Sequence, residues 1–138
     1  MPFAFRRAAL ALTLALLAGC PYSSDCVVND DCGGHDVCAR NGECLAPSEV
    51  RAVRVTWTIR GQQPSTMNCG AAPNFYILFG SFDYNDTYGY EPVPCASGVF
   101  SVDKLPSRYN SVELGADGRF SQMAVFNAQG QATFDLMP

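Results

Sequence analysis

The hydrophobic positions of the chain fall into three regimes. The first is an apolar run, Ala8 to Ala18, with no charge inside it and Arg6-Arg7 just ahead of it. The second, from Cys20 to about Glu49, has little apolar pattern and is punctuated by cysteine, glycine, asparagine and aspartate. The third begins near Val50. There Val53, Val55, Trp57 and Ile59 alternate with Arg54, Thr56, Thr58 and Arg60, the period of two that marks a half-buried strand.

Further strand signals follow at regular spacing. Gly61 to Ser65 breaks the first strand. Asn74 to Phe82 is nearly all apolar, which predicts a strand near the centre of a sheet. Val99 to Val102 is a short candidate closed by the Leu105-Pro106 break, and Tyr109, Val112 and Leu114 mark another. Asp117-Gly118 is a hairpin signal, after which Phe120–Phe126 and Ala132–Leu136 are separated by Asn127 to Gly130. No stretch carries helical periodicity. The pattern predicts a mainly β chain: a small disulfide-rich N-terminal segment, then an antiparallel β-sandwich of about six or seven strands over residues 50–138. A core of that size is marginal without a cross-link. Trp57, the one tryptophan, is the expected core anchor.

The apolar run sets the address. As a helix it rises only about 17 Å, against a hydrocarbon core of roughly 30 Å, so it is too short to span and reads as a secretory signal. It ends in Leu17-Ala18-Gly19-Cys20. This tetrapeptide resembles the lipobox of bacterial lipoproteins, in which small residues suit a narrow peptidase cleft and the cysteine supplies the sulfur nucleophile for lipid transfer. The resemblance implies a diacylglycerol on Cys20, cleavage just before it, loss of residues 1–19 and membrane attachment through the N-terminal lipid. In such lipoproteins an aspartate after the lipid cysteine signals inner-membrane retention. Here that residue is Pro21, so the outer membrane is the expected location. Loss of Arg6 and Arg7 leaves seven basic residues against thirteen acidic ones, a formal charge of about −6. A chain this acidic is a poor nucleic-acid binder, because phosphate neutralisation needs lysine and arginine.

The cysteine count agrees with that address. Lipid on Cys20 leaves Cys26, Cys32, Cys38, Cys44, Cys69 and Cys95, an even set in an oxidising compartment. Six cysteines allow fifteen pairings. The first four are evenly spaced, five residues between neighbours, in a stretch too small for an apolar core, so cross-links worth roughly 3 kcal/mol each must hold it. Zinc fits poorly, since zinc knuckles prefer two to four residues between cysteines. Asp31-Cys32-Gly33-Gly34, Cys38 and Asn41-Gly42-Glu43-Cys44 resemble the short repeats of Dickkopf-type cysteine-rich segments. The resemblance implies interlaced bonds, Cys26–Cys38 and Cys32–Cys44, and no activity. Cys69 and Cys95, in a zone of different composition, remain for each other. The expected division is 1–19 signal peptide, 20–49 lipid anchor and cysteine-rich stalk, 50–138 sandwich. Gly98 to Gly118 resembles the corresponding part of prealbumin-like sandwiches, which implies an accessory binding or spacer module; an immunoglobulin-like order is the other option open at this point.

Candidate chemistry is sparse. His35, the single histidine, sits in the cysteine-rich segment beside no reactive serine and reads as solvated surface. No phosphate loop and no zinc-protease motif occurs. Tyr84, Tyr88 and Tyr90 lie on an acidic stretch and form a candidate contact surface for an envelope protein or glycan. Asp83, Asn85, Asp86 and Glu91 offer a loose calcium set, although an EF-hand would place glycine and glutamate where Tyr88 and Pro94 stand. The reading is a membrane-anchored envelope lipoprotein, a non-enzymatic binding or structural module without a cofactor. The alternatives are a small secreted enzyme or enzyme-inhibitor subunit, and a calcium-dependent adhesion module.

Overall fold

A computed structural model describes residues 25–137, apart from Ala71 and Tyr84. The lipobox and Cys20 therefore lie outside the described residues, as does Tyr84. The cysteine-rich segment folds around a two-stranded antiparallel ladder, β1 (Val37–Cys38) and β2 (Cys44–Leu45). Cys38 and Cys44 face each other across the ladder, and each reaches back to an earlier cysteine. The bonds are Cys26–Cys38 and Cys32–Cys44, and the third, in the second module, is Cys69–Cys95.

The remaining strands are β3 (Val50–Ile59), β4 (Asn74–Ser81), β5 (Thr87–Pro94), β6 (Val99–Pro106), β7 (Tyr109–Ala116), β8 (Phe120–Val125) and β9 (Gln131–Leu136). They form two sheets, β6-β3-β9 and β5-β4-β7-β8, packed face to face over one core. The pairings are antiparallel except β3 with β9, which run parallel. In an immunoglobulin constant-type sandwich the first and second strands share a sheet. Here the first two sandwich strands, β3 and β4, lie in opposite sheets, so the immunoglobulin-like order is not the one formed.

Strand alternation explains the core. Val53, Val55, Trp57 and Ile59 point inward and are buried, while Arg54 points to solvent. Phe75, Ile77 and Phe79 of the central β4 meet them from the other sheet, with Val112 and Leu114 of β7 alongside. Trp57 anchors this core as expected. Its ring stands edge-on to Phe75 with centroids 6.0 Å apart, and its Nε1–H donates to the Cys95 carbonyl at 2.8 Å. A buried indole needs such a partner. The Cys69–Cys95 bond thus closes the core at the end where β3 finishes and β4 begins.

Two sequence expectations change. The tyrosine-rich stretch is itself a strand, β5, because an edge strand tolerates Pro92 and Pro94, which would each break a central ladder. The strand begun at Val99 runs through Leu105 to Pro106 instead of stopping near Val102. A register shift opposite Arg51 and Val53, with Lys104 at φ 50°, absorbs the irregularity. One short helix, α1 (Thr66–Cys69), fills the break after β3. Ser65 caps it, its Oγ accepting from the Asn68 amide at 3.2 Å.

Candidate functional site

β5 lies at the edge of the four-stranded sheet, paired only with β4. Its register sets Tyr90 opposite Ile77 and Tyr88 opposite Phe79. Both tyrosines therefore share the inward face with buried Val93, while Thr87, Gly89 and Glu91 point outward. Tyr90 packs against Phe79 (6.2 Å between centroids) and against Phe100 of β6 (4.9 Å). Tyr88 meets Tyr90 edge-on at 5.3 Å and stacks on Tyr109 at 6.5 Å. The Tyr88 hydroxyl donates to that of Tyr90 at 3.3 Å. The rings bridge the open side between β5 and β6. The two remain half-buried, their rings packed on one another and on Phe79, Phe100 and Tyr109. Of the contact surface expected at Tyr88 and Tyr90, the fold leaves the half-exposed part of these rings open. The period of two on an edge strand turns them inward.

The calcium set is also redistributed. Asp83 accepts from Ser81 Oγ at 2.6 Å and from the Asn85 side-chain amide at 3.1 Å, and the Ser81 bond holds its carboxyl below the ordinary range. Asp86 accepts from Arg108 Nε at 2.7 Å and from the Tyr109 hydroxyl at 2.9 Å. Glu91 points away on β5. Among the described residues, the one set of three or more His, Cys, Asp or Glu ligand atoms drawn close together is Cys26, Cys32 and Cys44, all in disulfides. Asp83, Asp86 and Glu91 do not converge on a common point, because hydrogen-bond donors of the fold occupy the two loop carboxylates. His35 is exposed in a turn of the cysteine-rich segment.

These side chains surround a junction that sequence reading missed. Arg108, in the turn between β6 and β7, holds both carboxylate oxygens of Glu43 at 2.8 Å through Nη1 and Nη2. Its Nε reaches Asp86, and its guanidinium lies 4.9 Å over the ring of Tyr109. Arg40 Nε donates to Asp103 at 2.7 Å, and Lys104 Nζ to Asn29 at 3.1 Å. Two backbone bonds complete the seam: Arg40 N–H to Lys104 O (3.1 Å) and Ser107 N–H to Glu49 O (2.7 Å). The cysteine-rich segment is therefore docked on the sandwich, where an extended stalk was expected. A signal for this exists in the sequence. The segment carries Asp25, Asp30, Asp31, Asp36 and Glu43 against Arg40, whereas Lys104 and Arg108 sit four residues apart around the next turn.

The electrostatics of the junction are those of a fastening. Hydrogen bonding to Glu43, above all, pushes the Arg108 guanidinium further basic, and the Arg40 bond pulls Asp103 further acidic. Burial raises Tyr90, aided by Tyr88, and raises Tyr109, aided by Asp86. Each shift moves a group away from neutrality. A general acid or base needs the opposite, a pKa drawn toward the working pH. Beside the junction the loop after β4 carries Phe82, 85% exposed. Compared with family profiles, curated proteins and solved structures, the chain matches none.

Proposed function

We propose that the chain is a bacterial envelope lipoprotein, acylated on Cys20, whose docked modules form a short non-enzymatic binding or structural unit at the outer membrane. The observation that carries this reading is the cysteine pairing. All six cysteines after Cys20 are joined to one another, which leaves Cys20 without a disulfide partner in the chain. A leftover cysteine at the end of Leu-Ala-Gly is what lipid attachment requires, and the three bonds fit an oxidising compartment. Two or more acyl chains make such an anchor stable, where one is marginal.

The docked segment also supports a definite arrangement at the membrane. The five peptide steps from Cys20 to Asp25 span at most about 18 Å. The cysteine-rich segment then acts as a foot and carries the sandwich close to the lipid surface, with the β3–β4 end and the Cys69–Cys95 bond facing away from it. The prealbumin-like reading of the sandwich, an accessory binding or spacer module, fits such a unit.

Mass spectrometry of the protein recovered from membranes, under non-reducing conditions, tests the proposal. The expected result is a mature chain starting at Cys20, heavier by a diacylglycerol and a further acyl group, with three disulfides intact. A mature N-terminus elsewhere, or an unmodified Cys20, overturns it. Turnover of a glycan or peptide library by the purified chain overturns its non-enzymatic part.

A further inference from the structure

At the end of the sandwich opposite the cysteine-rich segment lies a cavity of about 230 Å³. Its floor is Cys69, Ala72 and Phe120, and its rim carries Asn68, Arg119 and Met137. The floor is apolar and cross-linked. The Cys69–Cys95 bond ties it to the next loop, and Phe120 stands edge-on to buried Phe75 with centroids 5.5 Å apart. Arg40, Arg51, Lys104 and Arg108 each hold a partner. The Arg119 guanidinium, like that of Arg54 on the outer face of β3, makes no side-chain hydrogen bond or ion pair among the described residues, but Arg119 alone of the two stands at the mouth of this apolar cavity. Met67, 90% exposed, and Met137, 75% exposed, extend the apolar surface beside it.

Size and charge together define what fits. Pockets for drug-sized ligands run from about 300 Å³ upward, so this one takes a single apolar side chain or short acyl group, not an oligosaccharide. An unpaired guanidinium at the mouth of an apolar pocket, in a chain of net charge −4, selects an anionic head on that apolar group. Guanidinium geometry favours a carboxylate held by two parallel bonds. We infer that the tip of the sandwich is a binding site for a small apolar carboxylate, its apolar part on Cys69, Ala72 and Phe120 and its carboxylate on Arg119. A free acid and the C-terminal residue of a peptide share this chemistry. The site does not depend on acylation at Cys20.

The test uses the oxidised mature chain and two probes, N-acetyl-leucine and a tripeptide ending in leucine, each also as its C-terminal amide. Binding is followed by the backbone amide resonances of residues 69–72 and 119–120. Both free carboxylates are expected to shift these resonances at millimolar concentration, and the amides to bind about tenfold more weakly or worse. Arg119→Gln loses the same factor and Arg119→Lys recovers part of it, while both melt like the parent because the side chain is exposed. A tripeptide that binds more tightly than the free amino acid identifies a chain end as the ligand; equal affinity identifies a free acid. Absence of shifts at these amides, equal binding of acid and amide, or an Arg119→Gln variant with undiminished affinity overturns the inference.

Discussion

Arg108 grips Glu43 through both Nη atoms at 2.8 Å, across 65 residues of sequence. The pair is one of several ties, with Arg40–Asp103, Lys104–Asn29 and two backbone bonds, between two modules with separate cores, one held by disulfides and one by apolar packing. Its side chains are 37% and 47% exposed, so solvent screens it and each exposed ion pair is worth about 0.2–1 kcal/mol. The stack on Tyr109 adds roughly 0.5–1 kcal/mol. Arg108→Met, which keeps the stem and removes the guanidinium, is expected to cost about 1–2 kcal/mol in denaturant unfolding. The deficit narrows at 1 M salt as the lost pairs are screened. Hydrogen exchange locates the effect: the Arg40 amide, bonded to Lys104 O, exchanges faster, while amides of β4 and β7 keep their protection. Equal exchange at Arg40 in parent and variant counts against Arg108 as the fastening.

The two modules also differ in what their disulfides do. Cys69–Cys95 closes a loop of 26 residues, which the chain-entropy argument makes worth about 3.5 kcal/mol. The sandwich has an apolar core of its own, so Cys69→Ala/Cys95→Ala is expected to fold with a lower melting temperature and a cooperative transition. Cys26–Cys38 and Cys32–Cys44 each close twelve residues around a ladder of two residue pairs with almost no core. Removing either pair is expected to unravel the segment locally, seen as fast exchange across residues 26–44, with the sandwich transition little changed. A non-cooperative sandwich in the first variant, or a protected segment in the second, contradicts this division.

How much was legible in the sequence follows from the range of each signal. Val53 to Ile59 and Asn74 to Ser81 were readable because alternation and apolar runs are local. Asp117-Gly118 was readable because a turn with φ 66° at Gly118 has its own residue preference. β5 was hidden, since Gly89, Pro92 and Pro94 look like a loop until the strand is known to be an edge. The parallel pairing of β3 with β9 has no local signature at all, because it joins the two ends of the sandwich. The same holds for the sites. Tyr88 and Tyr90 drew attention as exposed-looking aromatics, but which way they face depends on the register with β4. The Arg108 junction and the Arg119 pocket are assembled from segments far apart in sequence. For the junction, the acidic residues of the cysteine-rich segment opposite Lys104 and Arg108 were the one local signal; the pocket had none.

Alkaline pH should separate the buried tyrosines from the others. Burial, aided by Tyr88, raises Tyr90 above its ordinary value of 10, and burial, aided by Asp86, raises Tyr109. Well below pH 10 both are neutral in the folded and unfolded chains and contribute no pH dependence. Above pH 10 the unfolded chain ionises while the folded chain keeps its protons. Stability therefore falls as pH rises, by up to about 1.4 kcal/mol per pH unit for each such tyrosine. Denaturant melts between pH 9 and 11 are expected to show this loss, and Tyr90→Phe to reduce its slope. A parent and variant with identical slopes would falsify the assignment to Tyr90.

Gly115 shows how tightly the outer face of the four-stranded sheet is set. Tyr76, its cross-strand partner on β4, lies over it and donates its hydroxyl to Glu113 at 2.7 Å. A Cβ at Gly115 would meet the Phe120 carbonyl at 2.6 Å and the Tyr76 hydroxyl at 2.7 Å. The tyrosine end can swing aside; the carbonyl belongs to the β7–β8 ladder and cannot. Gly115→Ala is expected to cost about 1–3 kcal/mol, the range for overpacking a close contact. Gly118→Ala is the control, because a Cβ there meets open space and only the left-handed backbone (φ 66°) resists, at about 1–2 kcal/mol. Thermal melts alone do not separate the two, so the decisive readout is Tyr76. Its hydroxyl is raised mainly by the bond to Glu113, and that late ionisation should return toward the ordinary tyrosine range in Gly115→Ala and stay late in Gly118→Ala. Unchanged Tyr76 ionisation together with a melting temperature equal to the parent's would show that β8 accommodates the methyl group and that Gly115 is dispensable.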